Sequence, residues 1–167
     1  RTHPDFYRNI VDTVRLSAPF LKDLVLRPSP LNPKQIKLEW QHEGSDAYFD
    51  ASSLSDGTIR LICLSTLLLQ PSLPSVVLLD EPELGLHPAA VNDLASLLRR
   101  ASSRAQVIVS TQSVTLVNHL RPGEIVVADR VQGASTFRRL GEEEIASWLD
   151  EYALGELWEK NILSGRP

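Results

Sequence analysis

The chain has no methionine and a single cysteine, Cys63, among its 167 residues. One cysteine excludes a disulfide framework and fits a reducing compartment; inside an apolar stretch, Cys63 reads as a small core residue. The four histidines, His3, His42, His87 and His119, lack the short spacings of a metal cluster. These residues show no secretory h-region and no run of membrane-spanning length, because Ser65 and Thr66 interrupt the longest apolar stretch. A cytoplasmic protein with no membrane partner is expected. Basic charge is not in excess either: 17 Lys and Arg against 21 Asp and Glu leave a formal charge of −4. That excludes a general basic surface for non-specific nucleic-acid binding. None of the eight glycines precedes a lysine, so the chain has no Gly-x-x-x-x-Gly-Lys loop to cradle phosphates.

The most informative stretch present is Val76-Val77-Leu78-Leu79-Asp80-Glu81-Pro82. Four apolar residues deliver two adjacent carboxylates to a proline that stops the strand. A strand apolar at every position is expected to have no solvent face and to sit in a sheet covered on both sides, most often a parallel one. In open α/β sheets ligands bind beyond the carboxyl ends of the strands, where Asp80 and Glu81 emerge. The pair suits nucleotide hydrolysis, in which one carboxylate serves a Mg2+ site and another group orients or deprotonates the attacking water. Taken alone, Asp-Glu-Pro reads equally well as a polar turn leaving a core strand.

Upstream, Leu54-Ser55-Asp56-Gly57-Thr58-Ile59-Arg60 opens an apolar segment that runs to Gln70-Pro71 and reads as a buried helix with a polar start. Ser55 or Asp56 can cap its first N–H groups, and Gly57 permits close approach to the backbone. Such a helix start also favours phosphate, although capping by itself accounts for the triplet. Downstream, Gln106-Val107-Ile108-Val109-Ser110 is a second buried strand, ending in Thr111-Gln112-Ser113. Between the two strands, Pro88 opens a helix with Val91, Leu94, Ala95 and Leu98 on one face. Strand, helix and strand make a βαβ unit.

In order and spacing these features resemble the carboxyl-terminal half of an ABC/SMC-type ATPase head, within the AAA-type ATPases related to RecF and OLD-like proteins. The fold class implied is α/β: a partial P-loop NTPase with parallel core strands, flanking helices and a β-rich amino-terminal part. The resemblance makes residues 54–58 the signature motif, Val76 to Glu81 the Walker B strand, Leu84 to Pro88 the D-loop and Gln112 the switch. It implies ATP and Mg2+ as cofactors, Glu81 as base, Asp80 as magnesium-site carboxylate, and Gln112 as sensor of the γ-phosphate or water. It also implies that Ser55, Asp56, Gly57 and Thr58 meet ATP held by a second head in a homodimer, and that His87 touches the opposite site. His87 reads more simply as closing the turn before Pro88. Asp56 stands where many relatives have Gly, and its carboxylate repels a triphosphate unless it caps the helix or meets a cation. Gln112 stands where transporter relatives have His; it can hydrogen-bond but carries no charge, so it predicts weak pH dependence.

Without Walker A the chain alone is expected to be inactive and to belong to a longer polypeptide whose phosphate loop precedes Arg1. Residues 1–167 are expected to form one domain, with 1–53 a β-rich and helical lead-in and 54–167 the motif-bearing part. In the lead-in, Asp5 to Leu16 reads as a helix, and Leu24 to Leu26, Ile36 to Trp40 and Tyr48-Phe49 as strands. After the switch, Glu124 to Ala128 and Ser135 to Leu140 read as a hairpin around Gly133. Glu142 to Glu144 then open a helix, and Trp148, Leu149, Tyr152, Leu157 and Trp158 are expected to pack on the sheet. Arg99, Arg100, Arg104, Arg138 and Arg139 read as solvated faces rather than a binding patch, so nucleic acid is possible through the parent protein but not indicated here. Loss of the Walker A strand is expected to expose a sheet edge or apolar face and promote self-association. Two alternatives remain: a nucleotide-gated binding module with incidental turnover, and a regulatory domain that keeps the scaffold without nucleotide.

Overall fold

The computed structural model describes residues 3–149 and 151–165, the side chain of Glu142 excepted; Arg1, ahead of which the missing loop is expected, lies outside them. The chain forms two compact units, Arg1–Ser110 and Thr111–Pro167.

In the first unit, helix α1 (Pro4–Ser17) starts on a proline, carries Asp5 in its first turn and Arg15 in its last, and buries Val11 and Val14. Charges so placed oppose the helix dipole. An antiparallel sheet follows, ordered β1 (Leu21–Pro28), β2 (Ile36–His42) and β3 (Tyr48–Asp50). Leu24 pairs with Trp40 in its register, and the Trp40 indole N–H donates to Ser53 Oγ at 2.9 Å. Val11, Val14, Leu21, Leu24, Trp40 and Leu54 share one core with Leu61 and Ile62 of helix α2 (Asp56–Leu69) and with Ala90. The lead-in therefore fixes where α2 begins.

Strands β4 (Val76–Asp80) and β5 (Gln106–Ser110) pair in parallel, from Val76 with Gln106 to Asp80 with Ser110. Helix α3 (Pro88–Ser102) connects them and buries Val91, Leu94, Ala95 and Leu98 as its periodicity predicts. Each fully buried leucine contributes about 2 kcal/mol or more. Arg104 joins the two connections by donating to the Gln70 and Pro71 carbonyls at 2.9 and 2.8 Å.

Two expectations are corrected here. Strand β4 does have a solvent face: Val76 is 48% and Leu78 71% exposed, and Ile108 beside them on β5 is 49% exposed. This parallel sheet has two strands among the described residues; Val77 is buried and Leu79 half-buried, while the opposite face stays open. Cys63 is exposed, because α2 buries Leu61, Ile62, Leu64, Ser65, Leu68 and Leu69 and residue 63 falls outside that stripe.

In the second unit, α4 (Val114–Val117) precedes the hairpin of β6 (Val126–Val131) and β7 (Ala134–Arg139). Its turn holds Gln132 and Gly133 at φ +51° and +85°, the pair of positive angles that a two-residue hairpin loop favours. Helices α5 (Glu142–Leu149) and α6 (Leu154–Glu159) follow. Leu140, Ile145, Leu154, Leu157 and Leu163 form this unit's core, with Tyr152 and Trp158 packed against it. Trp148 and Leu149 remain exposed instead. Arg138 pairs with Glu144 at 2.6 Å and Arg139 donates to the Gly123 carbonyl at 2.6 Å, so both arginines have partners within the fold.

Candidate functional site

Strand β4 ends at Asp80, an exposed carboxylate on the open face of the sheet. The parallel register sets Ser110 beside it, and the Ser110 hydroxyl donates to Asp80 Oδ1. That bond orients the carboxylate and leaves it further acceptor positions. One steadied carboxylate fits a Mg2+ held mainly by phosphate oxygens and water rather than by a protein cage. Among the described residues no three His, Cys, Asp or Glu side chains cluster to form such a cage.

The chain turns at Glu81. Its N–H extends the ladder to the Ser110 carbonyl at 2.9 Å, but its φ is +40°, a left-handed conformation that costs a side-chain-bearing residue about 1–2 kcal/mol. The Glu81 carbonyl accepts from Leu84 N–H at 3.1 Å and from Arg60 Nη1 at 3.2 Å. Leu86 N–H then bonds the Glu83 carbonyl at 2.9 Å, and Gly85 adopts φ +77°.

Helix α2 approaches this turn. Ser55 is its cap: Oγ accepts from Thr58 N–H at 3.2 Å and shares a hydrogen bond with Thr58 Oγ1 at 2.9 Å. Asp56 is the first helical residue, exposed and in the dipole-favoured first turn. Gly57 lies so close to the Gly85 carbonyl that a Cβ would collide with it, which gives this glycine a reason independent of any ligand. His87 caps α3, with Nδ1 accepting from Ala89 N–H at 3.2 Å.

The first unit thus joins the Ser55–Thr58 segment, through Gly57, to the turn that begins at Asp80 and Glu81 and ends at His87. Gln112 belongs to the second unit, exposed and just ahead of Ser113, the cap of α4. Ser110 and Arg60 were given no role in the site by the sequence. The signal for Ser110 was its place at the end of the second strand, level with Asp80.

A βαβ unit whose first strand ends in an Asp-Glu pair, next to a serine-capped helix, gives the chain an α/β fold similar to that of P-loop NTPase heads. The family described as "AAA domain, putative AbiEii toxin, Type IV TA system" matches residues 3–118, and the chain belongs to it. No curated protein matches the chain. Among solved structures it resembles a chain from work on ATP-driven dimerization and DNA-stimulated activation of SMC ATPases. That pair is 22% identical with a TM-score of 0.60, covering 90% of this chain and 92% of that one. An Smc head bound to the C-terminal winged-helix domain of ScpA gives 21% and 0.68, with 88% of this chain covered. The Smc head with an extended coiled coil from Pyrococcus furiosus gives 23% and 0.67, with 90% covered. The chain spans 45% and 38% of those last two. At these identities the likeness is one of fold.

Proposed function

We propose that this chain is the carboxyl-terminal part of an ATPase head that binds and hydrolyses ATP once a Walker A segment from outside these residues and a second head complete the site. The observation that carries this is the end of the parallel pair, where Asp80, fixed by Ser110 of the neighbouring strand, and Glu81, turned by its backbone, together leave β4 at the ligand-binding edge of an α/β sheet. Bound ATP with Mg2+ supplies an electrophilic phosphorus whose charge the metal partly neutralises. Asp80 would hold the metal's water shell and Glu81 would take the proton from the attacking water; Gln112 is assigned the role of γ-phosphate sensor that the family resemblance implies. The Ser55 hydroxyl can accept from Thr58 N–H and still donate its own proton to a phosphate across the dimer; Gly57 and Thr58 flank that contact, and His87 reaches the opposite site.

The open apolar face of Val76, Leu78 and Ile108 supports an incomplete sheet layer, and we assign it to the Walker A segment. No helix among the described residues is long and apolar enough to cross a membrane, and the reading assigns the protein to the cytoplasm. DNA stimulation is described for the SMC relative; nothing in this chain's charge extends it here. The test is ATP hydrolysis by the complete polypeptide, wild type against Glu81→Gln, with binding and dimerisation followed in the same samples. We expect the variant to bind and dimerise but to turn over at least about a hundredfold more slowly. Equal turnover, or no ATP binding by the wild type, overturns the assignment. Slow turnover with strong ATP-dependent dimerisation in the wild type favours a nucleotide-gated binding module.

A further inference from the structure

Glu81 combines two properties that pull against each other: it is the proposed base, and its backbone occupies a region that a residue with a side chain avoids. A φ of +40° persists only where the surroundings over-determine it. Here the peptide groups on both sides of its Cα are held. The N–H bonds the Ser110 carbonyl at 2.9 Å, and one lone pair of the carbonyl takes Leu84 N–H at 3.1 Å. These two bonds define a turn leaving a strand. The third is different, because the half-buried Arg60 donates Nη1 to the same carbonyl at 3.2 Å from another helix, 21 residues away in sequence.

A guanidinium is charged at every relevant pH, and hydrogen bonds to charged groups are worth more than neutral ones. Arg60 and Gly57 stand three residues apart on α2, hence on neighbouring positions of one helical face. Gly57 abuts the Gly85 carbonyl while Arg60 holds the Glu81 carbonyl. One face of α2 therefore grips both ends of the turn from Glu81 to Gly85.

We infer that Arg60 is a positioning residue for hydrolysis: its guanidinium pins the Glu81 carbonyl and so keeps the left-handed backbone from which the Glu81 carboxylate meets the attacking water. This rests on the assignment of Glu81 as base. Arg60 itself touches neither water nor nucleotide in this scheme. Losing it frees the Glu81 peptide to relax toward the extended region that a residue before proline prefers and misplaces the carboxylate, without altering the groups that bind ATP.

The test uses the complete polypeptide as wild type, Arg60→Met, Arg60→Lys and Glu81→Gln, with steady-state ATPase kinetics, nucleotide binding, thermal unfolding and hydrogen exchange at the Leu84 amide. Arg60→Met should lower kcat about tenfold with KM for ATP within about twofold, and speed exchange at Leu84, whose acceptor is the released carbonyl. Arg60→Lys, which can still donate one hydrogen bond, should recover part of both. Should Arg60→Met fail to fold, Arg60→Lys carries the test, with a smaller loss of kcat, unchanged KM and faster exchange expected. Wild-type kcat in the folded variant, or a loss matched by a rise in KM, overturns the inference while a stalled Glu81→Gln leaves the base assignment standing. If Glu81→Gln hydrolyses as fast as wild type, the base assignment itself fails. Exchange at Leu84 then decides whether Arg60 holds the turn: faster exchange supports that role and unchanged exchange overturns it.

Discussion

Replacing Gly57 with alanine tests the most demanding contact in the site. In the first turn of a helix, Gly→Ala ordinarily stabilises, by up to about 1 kcal/mol from helix propensity and the reduced freedom of the unfolded chain. Here the new Cβ collides with the Gly85 carbonyl oxygen and stands 3.4 Å from its carbon. Both are backbone atoms, so no side chain can swing away. Either α2 lifts from the turn or Gly85 retreats, and overpacking of this kind costs about 1–3 kcal/mol. The retreat is resisted because Gly85 lies between two turn hydrogen bonds, Leu84 to Glu81 and Leu86 to Glu83. The net expectation is a loss of about 1–2 kcal/mol. If the 110-residue unit unfolds as one, that lowers Tm by roughly 5–10 °C.

The assay is thermal unfolding by circular dichroism, with Gly141→Ala as the control. At Gly141 the nearest atoms that a Cβ meets belong to the Glu144 side chain, from 3.4 Å outward, so a change within about 0.5 kcal/mol is expected. The complete polypeptide carrying Gly57→Ala should also hydrolyse ATP more slowly, since the displaced turn begins at Glu81. A Tm equal to or above wild type would show that helix propensity wins, that Gly57 and Gly85 do not touch in solution, and that α2 does not grip the turn.

Ser110→Ala removes the donor that orients Asp80 and should raise the Mg2+ concentration for half-maximal ATPase activity severalfold, about 1 kcal/mol being at stake; an unchanged Mg2+ titration would remove Ser110 from the site. His87→Ala deletes the cap of α3, which should cost about 1 kcal/mol in denaturant unfolding and reduce dimer-coupled hydrolysis; a stability loss without the second effect leaves His87 a cap only. Asp50 is held below its ordinary value of 3.8 by the Ser52 backbone N–H, then the Ser52 hydroxyl and Lys37. Its contribution to stability is therefore complete above about pH 4 and is lost as the pH falls through the lower folded value. An NMR titration of the Asp50 carboxyl at or above 3.8 would refute this. Cys63 is exposed, so a thiol reagent should modify the native chain at a rate near that of a free thiol, without unfolding it.

The helices and strands were legible because each follows a strong local rule. Ser55 caps α2 and Pro88 opens α3 where the residue types demand it. The strand from Gln106 to Ser110 has the ends given by its apolar run. The errors lie where periodicity leaves two outcomes. An all-apolar strand shows that apolar partners are available on both faces, not that this chain contains them, so Leu78 was expected to be buried and is 71% exposed. In α2 apolar residues surround the helix, so its buried stripe is fixed by what packs on it, and Cys63 falls on the other side.

The site was legible to the extent that its chemistry sits in contiguous residues. Asp80 and Glu81 declare themselves as a pair, and Ser55 to Thr58 as a helix start. What the sequence hides is how the pair is held, because that depends on two relations between distant segments. The first is register: only the parallel pairing of β4 with β5 sets the Ser110 hydroxyl beside Asp80 and its carbonyl beneath Glu81 N–H. A slip of one residue would place Val109 there and leave Asp80 without that donor. The second is helical phase. Gly57 and Arg60 are three residues apart, so a face that brings one to the turn brings the other, yet nothing in Asp-Glu-Pro announces that the carbonyl of Glu81 will need a second donor. Pro82 restricts the conformation of the residue before it and has no N–H of its own to bond backwards. A strand ended by this proline must therefore find its fastening elsewhere, and α2 is the element that the amino-terminal sheet and α1 hold in place to provide it.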